Sequence, residues 1–139
     1  MSILKKQIKI RIEADHGDGG RVVRTVRGEW YGKEGAEYIR YHEPEPDMGN
    51  TTATIRLTNE EVRVIRHGDF RSEQAFAEGR ADTGYFETPQ GRMVIENRTL
   101  RFDNRSEQGN GTVEWKYEMI AGGEAVGTYT LKMTMQEEK

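Results

Sequence analysis

Cysteine is absent from the chain, and with it go disulfide staples, thiolate nucleophiles and cysteine-based metal sites. Proline occurs only at Pro44, Pro46 and Pro89, and histidine only at His16, His42 and His67. No stretch is apolar for long enough to cross a bilayer as a helix. The opening MSILKKQIKIRIEAD also lacks the continuous apolar core of an export signal. Cytoplasmic residence without membrane insertion is the expectation, and the glycosylation triplets at Asn50, Asn97, Asn104 and Asn110 then carry no weight. Neither sign of charge dominates: 21 basic residues face 24 acidic ones, for a net charge of −3. Such a balance gives no overall pull toward nucleic acid or an anionic membrane.

Helical periodicity is missing as well, and strand alternation takes its place. In Gln7–Ala14, Ile8, Ile10, Ile12 and Ala14 alternate with Gln7, Lys9, Arg11 and Glu13, the pattern of a half-buried strand. Arg21–Trp30 and Ala36–Glu43 read as the next two strands, separated by glycine turns, and Pro44–Asn50 as an irregular loop. Thr52–Thr58 and Glu61–His67 form a hairpin whose apolar faces are Ala53, Ile55, Leu57 and Val62, Val64. Arg71–Glu78 is a further strand with Ser72, Gln74 and Phe76 in one register, although Ala75 and Ala77 leave a short helix open.

A hairpin over Ala81–Phe102 organises the rest, turning at Pro89-Gln90-Gly91, where proline presets φ and glycine accepts a positive one. Asp103–Asn110 is polar throughout and reads as a mobile connection. Thr112–Met119 then places Val113, Trp115, Tyr117 and Met119 on one face, and the last strand does the same with Tyr129, Leu131, Met133 and Met135. The fold class expected is all-β: one domain over residues 1–139, a single antiparallel barrel of about eight to ten strands with little helix. Closure protects the sheet edges of so small a chain, and a two-sheet sandwich is the alternative.

Several segments fall in a familiar order: YIRYHE at Tyr38–Glu43, VRVIRHG at Val62–Gly68, YFETPQG at Tyr85–Gly91, NRTLRF at Asn97–Phe102 and WKYEM at Trp115–Met119. Together they resemble the YwiB-like family of small bacterial proteins over nearly the whole chain. The resemblance implies a calycin-like, lipocalin-type barrel. It carries over no catalytic residues, and its nearest functional analogy is with intracellular lipid-binding barrels, at the level of fold alone.

Candidate site residues follow from strand parity. Arg66 shares a face with Val62 and Val64, so an unbroken strand turns its guanidinium inward, where it needs a carboxylate, an anion or water. Glu43 shares parity with Ile39 and Tyr41 and is the candidate partner. An internal Arg–Glu pair, an arginine at the barrel mouth and an anchor for a ligand carboxylate or phosphate all fit that placement. Tyr41, Tyr85, Tyr117 and Tyr129 are candidates to line a pocket, with Thr88 and Thr99 offering hydroxyls; ordinary barrel packing explains the same residues.

The partner expected is a small amphipathic or anionic ligand, with a homodimer or a ligand-free scaffold as the alternative. No cofactor and no metal are expected: the histidines have no ligand spacing, and Asp15, His16 and Asp18 lack the length of a calcium loop. Catalytic residues stay unassigned. An enzyme would have to combine His42, Glu43, Arg66, His67 and Asp69, whose proximity strand order does not establish. Lys5, Lys6, Lys9 and Arg11, like Arg21, Arg24 and Arg27, read as solvated charge rather than a phosphate track, so nucleic acid is not an expected partner. Segments 43–50 and 103–110 are expected to border an entrance.

Overall fold

The alternating segments become ten strands, β1 (Lys5–His16), β2 (Arg21–Lys33), β3 (Ala36–His42), β4 (Thr51–Leu57), β5 (Val62–Gly68), β6 (Arg71–Phe76), β7 (Ala81–Thr88), β8 (Gly91–Glu107), β9 (Asn110–Ala121) and β10 (Glu124–Glu137). The computed structural model describes residues 4–17 and 19–138. Each strand pairs antiparallel with its neighbours in sequence, and β1 pairs with both β2 and β10 to close the circuit. Ile10, for example, stands opposite Val26 on one side and Met135 on the other. Closure leaves no sheet edge to be capped. The expected antiparallel barrel is therefore the fold, at the upper end of the expected strand count. The only helical piece among the described residues is a single 3₁₀ turn at Pro46–Met48, inside the expected loop.

Parity decides what faces inward. Ile8 and Ile10 of β1, Ile39 and Tyr41 of β3, Ile55 and Leu57 of β4, and Val62 and Val64 of β5 are all buried in one cluster. Trp30, Ala53, Phe76, Val113, Trp115, Tyr117, Met133 and Met135 complete it. In β8 the register shifts between Thr99 and Arg101. Leu100 is the extra residue and is 55% exposed, while Ile95, Asn97 and Thr99 before it are buried. After it, Phe102 packs against the cluster, so the bulge resets the alternation within one long strand.

The antiparallel order sends turns to alternate ends, and the two ends differ. One end gathers the start of β1, the end of β10 and the turns at residues 34–35, 58–61, 77–80 and 108–109. It is stoppered. Gly109 adopts φ +86°, and a Cβ there would lie 3.2 Å from the Ile8 side chain and 3.3 Å from Trp30. Lys6 lies over the Trp30 ring at 5.1 Å and donates to the Gln108 carbonyl at 3.2 Å. The other end carries the turns at 17–20, 43–50, 69–70, 89–90 and 122–123. Inward-facing Ile12, Met119, Tyr129 and Leu131 near it are only half-buried.

Three expectations are corrected. Asp103–Asn110 is not a mobile connection: β8 runs to Glu107 and β9 starts at Asn110. The polar side chains are used up locally. Asn104 donates to the Thr58 carbonyl at 3.1 Å and accepts from the Ser106 N–H at 2.9 Å, and the Asn110 side chain accepts from the Glu137 N–H at 3.0 Å. For the same reason this segment borders the stoppered end, opposite residues 43–50, and the two do not flank one entrance. The short helix left open near Ala75 and Ala77 does not form; Arg71–Phe76 is strand.

Candidate functional site

Arg66 sits on β5 directly opposite Ala53 of β4 and Ser72 of β6, both fully buried. Residues directly opposed in an antiparallel ladder point to the same face, so the guanidinium enters the barrel. Glu43 follows Tyr41 by two positions, and its N–H is held by the Thr51 carbonyl at 2.9 Å. The Arg66 Nε–H donates to Glu43 Oε1 at 3.2 Å and Nη1 donates to Ser72 Oγ at 3.4 Å. The arginine side chain is 22% exposed and the glutamate 10%. Water reaches this pair, which moderates its desolvation cost.

Tyr41 stands level with Arg66, both directly opposite Ala53 of β4. Burial pushes the Tyr41 phenol well above its ordinary range, Glu43 adds to that, and Arg66 pulls the other way. Burial likewise pushes Tyr117 up to about 12, with Tyr129 adding and Arg66 opposing. Tyr41 is on β3 and Tyr117 on β9, a strand separated from β5 in the sheet by β6, β7 and β8. Tyr129 stacks on Tyr117 with ring centroids 5.5 Å apart, and His16 meets its edge at 5.0 Å. Arg66, Glu43 and Tyr41 thus lie together on β3–β5, and Tyr117 and Tyr129 stack on the wall of β9 and β10 across the barrel. A surface groove of about 630 Å³ lined by His16, Lys116 and Tyr129 touches this group only through Tyr129.

Tyr85 does not join them. Its neighbours Gly84 and Phe86 take the inward register, opposite Ile95 and Met93, while Tyr85 pairs with Val94, which is 60% exposed. Arg92 covers the Tyr85 ring from outside at 4.1 Å. Thr99 does point inward: it is buried directly opposite Tyr117. Thr88 stays at the hairpin tip, accepting from the Gln90 N–H at 3.1 Å. Thr51, Ser72, Gln74 and Asn97 are buried polar residues to which the sequence pattern assigns no site role. For the last three, alternation with Phe76 and Thr99 was the available signal.

The acid–base grouping is divided by the sheet. His42, Thr52 and His67 stand side by side on adjacent strands, and both histidines are exposed, whereas Glu43 and Arg66 face inward. Asp69 is engaged by the Asn50 N–H at 2.9 Å. Among the described residues no three His, Asp or Glu side chains gather at metal-binding distances; Asp18 lies outside them. The basic positions are matched by carboxylates: Arg21 with Glu13, Arg24 with Glu45, and Arg27 with Glu138 at 3.2 Å. Among the described residues no helix is long and apolar enough to cross a membrane.

With the site in view, comparison with known proteins identifies the kinship. A family model described as a domain of unknown function, DUF1934, matches residues 7–133. The chain belongs to that family. It is also similar to the uncharacterized β-barrel protein YwiB of Bacillus subtilis (strain 168), with 24% identity over 121 residues, 86% of this chain and 84% of that protein. The crystal structure of the ywiB protein from Bacillus subtilis superposes with a TM-score of 0.82 at 16% sequence identity, covering 99% of this chain and 96% of the other. The DUF1934 chain therefore shares that barrel. A LolA superfamily protein from Nitrosomonas europaea aligns with a TM-score of only 0.28 at 12% identity, over 97% of this chain and 86% of that one, and bears no weight.

Proposed function

We propose that the chain binds a small amphipathic carboxylate in the open half of its barrel, in the cytoplasm. Arg66 holds the carboxylate, and Tyr41, Tyr117 and Tyr129 border the apolar part beside the half-buried Ile12, Met119 and Leu131. One observation carries the reading: an inward, water-reachable arginine whose hydrogen-bonding capacity is only partly used. A guanidinium offers five N–H donors in a fork suited to carboxylates, and the described residues take Nε–H and one Nη1–H. The surrounding rings supply apolar body with polar tips, the usual lining of a small-molecule site.

The test is titration calorimetry with 3-phenylpropionate and its neutral counterpart 3-phenylpropanol. The unaltered protein binds the carboxylate more tightly than the alcohol, and Arg66→Met weakens carboxylate binding by roughly 10-fold or more, as expected for a charge-assisted pair. The double variant Arg66→Met/Glu43→Leu leaves no unpaired charge and keeps the test open if the single variant fails to fold. Unchanged affinity in a folded variant, or no binding of any carboxylate, removes the proposal. The second outcome selects a ligand-free scaffold or homodimer, the reading favoured by the filled core at the stoppered end.

A further inference from the structure

The wall formed by β8 and β9 contains three polar atoms that fold into the interior without a partner. Asn97 Oδ1, Thr99 Oγ1 and Trp115 Nε1 are buried and make no hydrogen bond among the described residues. Asn97 is 0% exposed, Thr99 2% and Trp115 2%. Burying such groups unmatched is costly, and native barrels avoid it unless something meets them. Here they are also neighbours in the ladder: Asn97 and Thr99 are successive inward positions of β8, and Thr99 faces Tyr117, two residues from Trp115.

Their orientation is fixed rather than incidental. Asn97 Nδ2 donates to the buried Gln74 Oε1 at 3.0 Å, which commits the donor side of the amide and leaves its carbonyl turned elsewhere. The Trp115 ring is held against Phe76 at 5.8 Å, and Phe76 lies 4.6 Å from the Tyr117 ring. Gln74 is the next inward residue of β6 after Ser72, which stands opposite Arg66 and accepts from its Nη1, so the polar wall adjoins the arginine rather than lying at a remote end.

We infer that the ligand carries, besides its carboxylate, a neutral hydrogen-bonding group of the hydroxyl type, received by Asn97, Thr99 and Trp115. The chemistry is complementary. The Asn97 carbonyl accepts, the indole N–H donates, and the Thr99 hydroxyl does either; a hydroxyl, one donor with two lone pairs, matches such a set. This narrows the class from amphipathic carboxylates in general to compact hydroxy-carboxylates, and it rests on the function proposed above.

The experiment compares 3-phenylpropionate with its three hydroxyphenyl isomers by calorimetry on the full chain. At least one isomer binds about tenfold more tightly than the parent, the scale of one well-made buried hydrogen bond. Thr99→Val and Trp115→Phe each shrink that preference toward unity while parent binding stays within about twofold, and Arg66→Met weakens parent and isomer alike. Trp115→Phe keeps the ring and serves alone if Thr99→Val does not fold. Equal affinity for parent and all isomers, with dependence on Arg66 intact, overturns this inference and spares the carboxylate site. A preference that persists in both wall variants also overturns it. Failure of every compound to bind removes the carboxylate site and this inference together.

Discussion

The two halves of the barrel are built from the same strands and the same alternation, yet they behave differently. In the stoppered half, Ile8, Ile10, Leu57 and Phe76 are buried to within a few per cent, with Gly109 and Lys6 closing the end over Trp30. In the open half, Ile12, Met119, Tyr129 and Leu131 of the same parity stay half-buried, and the inward positions include the Arg66–Glu43 pair. Width explains why both regimes coexist. Barrel diameter grows with strand number, and about eight strands already give an interior that side chains just fill. Ten strands need extra bulk, which Trp30 and Phe76 supply at one end. At the other, tyrosines and an arginine take the inward positions instead.

Truncating each half should separate them most sharply. Phe76→Ala removes a ring in contact with both Trp115 and Tyr117 and is expected to cost about 3–5 kcal/mol in urea unfolding, as large core truncations do. Leu131→Ala, on a half-buried inward position, is expected to cost about 1–2 kcal/mol, because part of its surface is already in water. Similar losses at both positions would mean that the open half is packed as tightly as the closed one.

A smaller effect sharpens the comparison at the site itself. Glu43→Gln takes away the anion that Arg66 now holds. Stability should fall by about 1 kcal/mol, the scale of a charge-assisted bond in a place water reaches. Carboxylate binding should strengthen several-fold, since a competitor for the guanidinium is gone. Weaker binding in Glu43→Gln would show that Glu43 helps build the site and does not merely occupy it.

Much of this was legible in the residues. Alternation in Gln7–Ala14 or in Val62–Arg66 states which side chains turn inward, because a strand has only two faces. It is silent on depth: Arg66 and Val64 share a face, but their heights in the barrel depend on the stagger of strands distant in sequence. Tyr85 was misplaced because both registers of β7 hold aromatic residues, and only pairing with β8 shows that Gly84 and Phe86 take the inner one. The Asp103–Asn110 segment was misread because its amides satisfy partners far away in the chain, such as the Thr58 carbonyl and the Glu137 N–H. Composition alone made it look like loop. The bulge at Leu100 left no clear mark, as one inserted residue reverses parity without changing residue types.

The smallest predicted effect lies at the stoppered end, where a carboxylate serves stability alone. Glu61 accepts from Arg80 at 2.7 Å and lies 3.3 Å from Arg63. Burial pushes its carboxyl up, but the bonds from Arg80 and the charge of Arg63 outweigh that and hold it below the usual carboxylate range. A folded-state value below the unfolded one means that the unfolded chain binds the proton more readily. The stabilisation is therefore complete above the ordinary glutamate range of about 4.3 and is lost as pH falls through the lowered folded value. Because Arg63 and Arg80 are more than a third exposed, solvent screening limits it to about 0.5–1 kcal/mol. Urea unfolding of the parent and Glu61→Gln should differ by that amount at neutral pH and converge in strong acid. A gap of the same size at both would mean that the side chain contributes through packing and not through its charge.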